Sequence, residues 1–312
     1  MGEDRHGEAP LHLVWSLWTE LGVPGPRRDH RRAIVDPERL LTVTPWFARA
    51  DARLSDLVFA WCVQHGTRLS GSRLTALVRT AHPDLRFAAE AFLAELATAG
   101  VPLVRVPPLS AAPPRAHRDL PLDAERPALM RLRTRALVGV GGRADLLVAL
   151  LSAPEAWASA SSLVDEVGMA KRHIARVLAE LADGKIAHAR QRGNVREFRL
   201  ANPGALAELV ALQEDAVFPR WGAVFEWMRL ADELGALPAD KPATFRIEVA
   251  QRKDALLRLA IELGVPHPAP SETTDAAAVV AWAGEHARAM ADGTAGALRG
   301  PSPVRAPARR TG

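Results

Sequence analysis

The chain has 312 residues, a formal net charge of +4, 48% hydrophobic residues and 24% charged residues. These proportions suit a folded protein with a buried core and exclude a chain disordered over most of its length. The single cysteine, Cys62, excludes an intramolecular disulfide and a cysteine-built zinc site, which fits a reducing, cytoplasmic setting. Met1 to Leu21 mixes acids, His and Pro before a short apolar stretch, and the chain has no apolar run of about 18 residues, so neither a signal peptide nor a membrane span is expected.

Leu11 to Leu21 reads as a Trp-bearing amphipathic helix, followed by the loop GVPGPRRDH. Asp36-Pro37 reads as a helix start, with Asp as cap and Pro in the first turn. Leu54 to His65, Ser72 to Thr80 and Leu85 to Ala99 carry further helical patterns, the last stopped by Gly100. Residues 1–100 therefore read as an N-terminal helical domain without strands. Val101 to Pro127 holds prolines at 102, 107, 108, 113, 114, 121 and 127, a density that blocks helix and central strand alike and predicts an extended linker.

Within 128–203 the pattern becomes helices followed by a hairpin. Leu146, Leu147, Leu150 and Leu151 mark the buried stripe of one helix, and Ser161 or Ser162 is the expected cap of the next, with Asp165 and Glu166 in its first turn. Gly168 permits a tight turn into a third helix at about 170–183. There Ile174, Val177, Leu178 and Leu181 form one apolar stripe, which sets Arg172 and Arg176 on the opposite face, His173 to the side and Lys171 nearer the core edge. Gly184 is the expected stop. Two strands follow around Gly193-Asn194, with Ile186, Phe198 and Leu200 expected on the core face and Arg190, Gln191, Arg192 and Arg196 around the tip. Met169 to Arg199 holds eight Lys or Arg against three acids, a local +5 that exceeds the +4 of the whole chain. Such concentration is expected of a nucleic-acid footprint. The bland alternative is a solvated cationic face.

The stretch VGMAKRHIARVLAELADGKIAHARQRGNVREFRL, preceded by LRTRALVGVGGRADLLVALL, resembles the winged helix-turn-helix of bacterial transcriptional regulators over about residues 131–202. The resemblance implies a mainly α fold, with a central winged helix-turn-helix of three helices plus a β-hairpin wing between N- and C-terminal helical regions. It implies sequence-specific binding of double-stranded DNA as a transcriptional regulator, as a repressor in the first instance. By position, Lys171, Arg172, His173 and Arg176 would face the major groove. Arg190, Arg192, Asn194 and Arg196 would form the wing on backbone or minor groove. Ala170 stands where such families often place Ser or Thr, so a helix cap is missing. The implied partners are DNA and a second copy of the chain. The alternative is an antitoxin-like or scaffold protein that uses this region against a toxin or nucleotidyltransferase-like protein.

Residues 204–297 return to helices, interrupted near PADKPATFR and GVPHPAPSETTD, and 298–312 reads as a disordered Arg/Pro tail. Trp15, Trp18, Trp46 and Trp61 read as core rather than an aromatic cage, as do Trp221, Phe225, Trp227 and Met228, for which a dimer contact is the second option. RRDHRR at 27–32 could touch phosphate but reads first as a solvated loop. GVGGR at 139–143 lacks dinucleotide-fingerprint spacing and reads as a turn. No Walker, Gly-x-Ser-x-Gly or His-Glu-x-x-His motif occurs, and the histidines are scattered, so no enzyme activity, cofactor or metal is expected.

Overall fold

The computed structural model describes residues 7–49, 51–107, 118–238, 240–269, 272–295 and 298. The described chain is mainly helical, with one small three-stranded antiparallel sheet. Five helices precede residue 101: α1 (Glu8–Glu20), α2 (Pro37–Phe47), α3 (Ala52–His65), α4 (Gly71–Thr80) and α5 (Pro83–Thr98). Their starts follow the chemistry of helix caps. Asp36, Asp51 and Ser70 accept from the backbone N–H three residues on, and Pro37 and Pro83 stand where the helix has no donor to lose. After α6 (Met130–Val138) and α7 (Gly142–Ser152) come β1 (Ala158–Ser159), α8 (Val164–Val167), α9 (Lys171–Asp183), β2 (Ala187–Arg192) and β3 (Val195–Leu200). Helices α10 (Pro203–Leu209), α11 (Trp221–Gly235), α12 (Pro242–Leu263) and α13 (Ala276–Ala291) complete the described elements.

Side chains from both ends of the chain meet in one core. Leu13, Trp18, Trp61 and Leu93 pack in the same cluster as Trp227, Leu256 and Met290. The indole N–H groups of the buried tryptophans are satisfied: Trp18 donates to Thr44 Oγ1, Trp61 to the Leu21 carbonyl, Trp221 to that of Ile34 and Trp227 to that of Ala283. The loop at 27–32 is tied down rather than simply solvated. His30 is buried, its Nε2 donating to the Met290 carbonyl and its Nδ1 lying 2.8 Å from Ser16 Oγ. Burial lowers its pKa, which favours the neutral ring that this pairing needs. The described parts of the Pro-rich stretch carry no helix before Pro127 and no strand, but they lie on the body: Leu120 is buried, and Gln64 and His65 hold its backbone. Of the expected tail only Leu298 is described, and it is buried; the rest lies outside the described residues.

A second core belongs to the middle of the chain. Leu146, Leu147, Leu150 and Leu151 of α7 pack on Ile174, Val177, Leu178 and Leu181 of α9 and on Ala187, Phe198 and Leu200 of the sheet. The sheet order is β1-β3-β2, so β1, which the sequence reading did not foresee, adds a third strand beside β3. Two local expectations need correction. Ile186 is 48% exposed and precedes the strand; Ala187, paired with Leu200, faces the core instead. Neither Ser161 nor Ser162 caps α8, whose N-cap is Leu163, and Ser162 bonds back to Ser159. Gly184 ends α9 as expected, with a negative φ, and the left-handed residue that follows is Lys185 at φ +60. The Ile186 N–H to Leu181 carbonyl bond closes that turn.

Ion pairs buried between α2, α4, α6 and α7 join the two cores. Arg73 of α4 donates to Asp36 at 2.5 and 2.6 Å and to Glu38 at 3.0 Å. Arg135 of α6 donates to Glu38 at 2.6 and 2.9 Å and to Asp145 of α7 at 2.8 Å. Arg131 reaches Glu166 at 2.7 Å, and Arg39 lies 3.4 Å from Asp36. Burial opposes ionisation of Asp36 and Glu38, yet Arg73 and Arg131 around the first and Arg135 and Arg73 around the second outweigh it and hold both carboxyls below their usual range.

Three outcomes follow. Arg73→Met strands two buried carboxylates and lowers the unfolding free energy by about 3–5 kcal/mol in urea titrations. Because Asp36 and Glu38 titrate lower folded than unfolded, their stabilisation is complete above about pH 4–5 and is lost as pH falls below about 4, read as a falling urea midpoint. For the turn after α9, Lys185→Gly relieves the left-handed strain and raises stability by about 0.5–1 kcal/mol in the same assay.

Candidate nucleic-acid interface

Helix α9 presents the sharpest division of faces in the molecule. Its buried residues are Ile174, Val177, Leu178 and Leu181, and Lys171, Arg172, His173 and Arg176 are all exposed. The 3.6-residue period accounts for both sets. Arg172 and Lys171 have no hydrogen-bond or ion-pair partner among the described residues, so their charge is fully available. Arg176 is engaged: it donates to Glu180 at 3.1 Å and lies 3.1 Å from His173 Nδ1, while Arg143 at the start of α7 holds the other oxygen of Glu180 at 2.9 Å. Ala175 and Ala179 lie between these cations, half-buried and too small to keep a partner at a distance. The charge runs along the helix, basic in its first half and acidic at Glu180 and Asp183.

The start of α9 is set from outside its own core. Helix α8 is a single turn, and its last carbonyls have no helical partner. Arg73 donates to the Val167 carbonyl at 2.8 Å and to that of Glu166 at 3.1 Å, and Arg39 donates to that of Asp165. Gly168 then turns the chain at φ +68, and a Cβ there would press on Leu77 of α4 at 3.3 Å. The bonds that place the turn between α8 and α9 thus come from α2 and α4. Ala170 makes no side-chain cap, as its methyl group dictates.

The hairpin tip divides the remaining cations between two faces. Gly193 takes the positive φ of the two-residue turn, at +58. Register then places Arg190 opposite Glu197 and Arg192 opposite Val195, with Arg190 donating to Glu197 at 2.7 Å and Arg192 3.6 Å from the same carboxylate. Arg190 and Arg199 both lie over the Trp157 ring, at 4.3 and 5.1 Å. Arg196 projects from the other face, 5.2 Å over the Phe198 ring, and lines a shallow concavity with Asp183 and Lys185 at the end of α9. Asn194 is exposed at the turn. The eight residues singled out from the sequence are therefore all at the surface: four on α9, Arg190 and Arg192 on one face of the hairpin, Arg196 on the other and Asn194 between.

Sequence reading missed Glu197, Trp157, Arg143 and the Arg39–Arg73 pair. Glu197 was accessible to it, since a turn at Gly193-Asn194 fixes its register with Arg190. Trp157 lies in a loop without period and left no such signal. Among the described residues, His82, Asp84 and Glu233 bring donor atoms within 4.8 Å of one another. Glu233 is already held by Arg229 and Arg252. No helix is long and apolar enough to cross a membrane among the described residues. No protein-family model matches the chain, and neither a curated protein nor a solved structure matches it.

Proposed function

We propose that residues 128–203 form a winged helix-turn-helix that binds double-stranded DNA sequence-specifically, and that the protein is a transcriptional regulator. What supports the fold assignment is the element order α7–β1–α8–α9–β2–β3 with sheet order β1-β3-β2. The observation that carries the function is α9: an amphipathic helix whose first half exposes unpaired Lys171 and Arg172 beside Arg176, with alanines between them. In this reading the first half of α9 enters the major groove, and Glu180 and Asp183 keep the second half away from phosphate. Arg172 reads a base edge, where a guanidinium matches the O6 and N7 acceptors of guanine. Lys171 and Arg192 contact phosphate and set register. The helical body on either side holds this unit in place and is the surface for a second copy.

Fluorescence anisotropy against the duplex upstream of the protein's own gene, with a random duplex beside it, tests the assignment. Arg172→Ala costs about 1–3 kcal/mol on the specific duplex and relaxes one base preference. Equal loss on both duplexes removes Arg172 from base readout. Arg192→Ala weakens both duplexes alike and lowers the slope of log affinity against log salt by roughly 0.9. An unchanged slope takes the hairpin off the phosphates. Failure to bind any duplex overturns the reading and leaves protein–protein contact as the use of this region.

A further inference from the structure

Helix α12 packs on the body with one face and leaves the other bare. Val249, Leu256, Ala260 and Leu263 are buried in the core shared with α11 and α13. At about 100° per residue, Ile247, Asp254 and Ile261 fall within about 40° of one another and roughly opposite those four, with exposed Ala250 beside them and Arg258 at the edge. Among the described residues, four large hydrophobic side chains are more than half exposed: Phe87, Leu209, Ile247 and Ile261. Two of the four share this one face, about 21 Å apart along the helix.

The charges on this face stand apart from their neighbours. On the flanks, Arg252 donates to Glu233 and Glu248, Lys253 donates to the Thr273 carbonyl, and Glu262 lies 3.5 Å from Arg220. Asp254 and Arg258, exposed between the two isoleucines, have no hydrogen-bond or ion-pair partner among the described residues. A second copy of the helix laid antiparallel across this face, about a two-fold axis near Asp254, brings Ile247 against Ile261 at both ends. In the middle the two Asp254 carboxylates are bracketed by the two Arg258 guanidinium groups, whose Cα atoms stand about 6 Å along the axis, within reach of an arginine side chain.

We propose that this face of α12 is the contact between two copies of the chain, paired antiparallel about a two-fold axis near Asp254. A two-fold contact must complement itself, and apolar ends of one kind around one acid and one base meet that condition. The 22-residue helix, about 33 Å long and 10 Å wide, offers roughly 300–400 Å² per partner against about 800 Å² in a standard interface, so the pair is weak in free solution. Two copies on adjacent DNA half-sites would meet at an effective concentration in the millimolar range, where a weak contact suffices. That use rests on the DNA binding proposed above; the contact itself does not.

Sedimentation velocity of the full chain without DNA tests the proposal. The chain dimerises with a dissociation constant on the order of 10–100 µM, as a contact of this size allows. Ile247→Glu with Ile261→Glu weakens the dimer by about 10-fold or more. Asp254→Arg gathers four arginines at the axis and Arg258→Asp four aspartates, and each alone weakens self-association by about 10-fold or more. The two single charge variants mixed in equal amounts associate with each other at about the wild-type strength, since one then supplies only bases and the other only acids. All four positions are exposed, and circular dichroism confirms that each variant folds. A chain that stays monomeric up to several hundred µM, a dimer that both single charge variants retain, or a mixture that stays monomeric each overturns the proposal. With no duplex present, these results are independent of those for DNA binding.

Discussion

The position of α9 depends on an ionic seam. Asp36, Glu38, Asp145 and Glu166 face Arg39, Arg73, Arg131 and Arg135 between the two cores, and most of these groups are almost wholly buried. Transferring each ion from water costs several kcal/mol, so the seam tolerates only arrangements in which every charge keeps its counter-charge. An apolar seam could slide by a fraction of a turn at little cost. This one has one register, because Arg73 bridges Asp36 and Glu38 while Arg135 bridges Glu38 and Asp145, and moving any element breaks two pairs at once. The gain is definition of geometry more than stability. Asp145 Oδ2 and Arg131 Nη1 lie buried without a hydrogen bond among the described residues, which a core selected for stability alone would avoid.

The same arginines continue from the seam to the surface. Arg73 is held by carboxylates with one part of its guanidinium and holds the α8 carbonyls with another. Helix α8 is too short to be stable alone, since one turn fixes several residues for very few hydrogen bonds. Its geometry is imposed by the body, and with it the direction in which α9 departs from Gly168. For the DNA-binding role proposed here, this means that the reading helix is presented by a rigid support rather than on a flexible tether. The spacing of two reading helices in a dimer would then be a property of the body.

What was legible in the sequence was local. The stripe Ile174, Val177, Leu178 and Leu181 follows from one period in one helix, and the exposure of Arg172 and Arg176 follows from the same arithmetic. The helix starts at Asp36 and the stop at Gly100 are likewise one-residue chemistry. Ile186 shows how narrow that margin is in strands: beginning β2 one residue later reverses every face, so Ala187 enters the core and Ile186 faces water. The seam was not legible because its partners are far apart, 37 residues between Arg73 and Asp36 and 97 between Arg135 and Glu38. It did leave a trace. Arg131 and Arg135 stand one turn apart on the face that also buries Met130 and Thr134, and Arg73 lies directly beside buried Leu74. A cation on a buried face requires a buried acid, but sequence alone does not say which.

The two arginines of α9 differ in what they would give up to contact DNA in the proposed role. Arg172 exchanges only water. Arg176 must leave Glu180 or share it with Arg143, which already holds one of its oxygens. An exposed i,i+4 pair contributes only about 0.3–0.5 kcal/mol, whereas a bidentate contact to a base discriminates by about 1–3 kcal/mol. If this face binds DNA as proposed, the exchange would favour the base, and Arg143 would keep Glu180 paired once Arg176 left it. In the proposed DNA-binding role, Glu180 would be a weak internal stand-in for the acceptor, holding the guanidinium before binding. Under that proposal, discrimination on this face would belong to both arginines, and non-specific affinity mainly to Arg172, Lys171 and the hairpin.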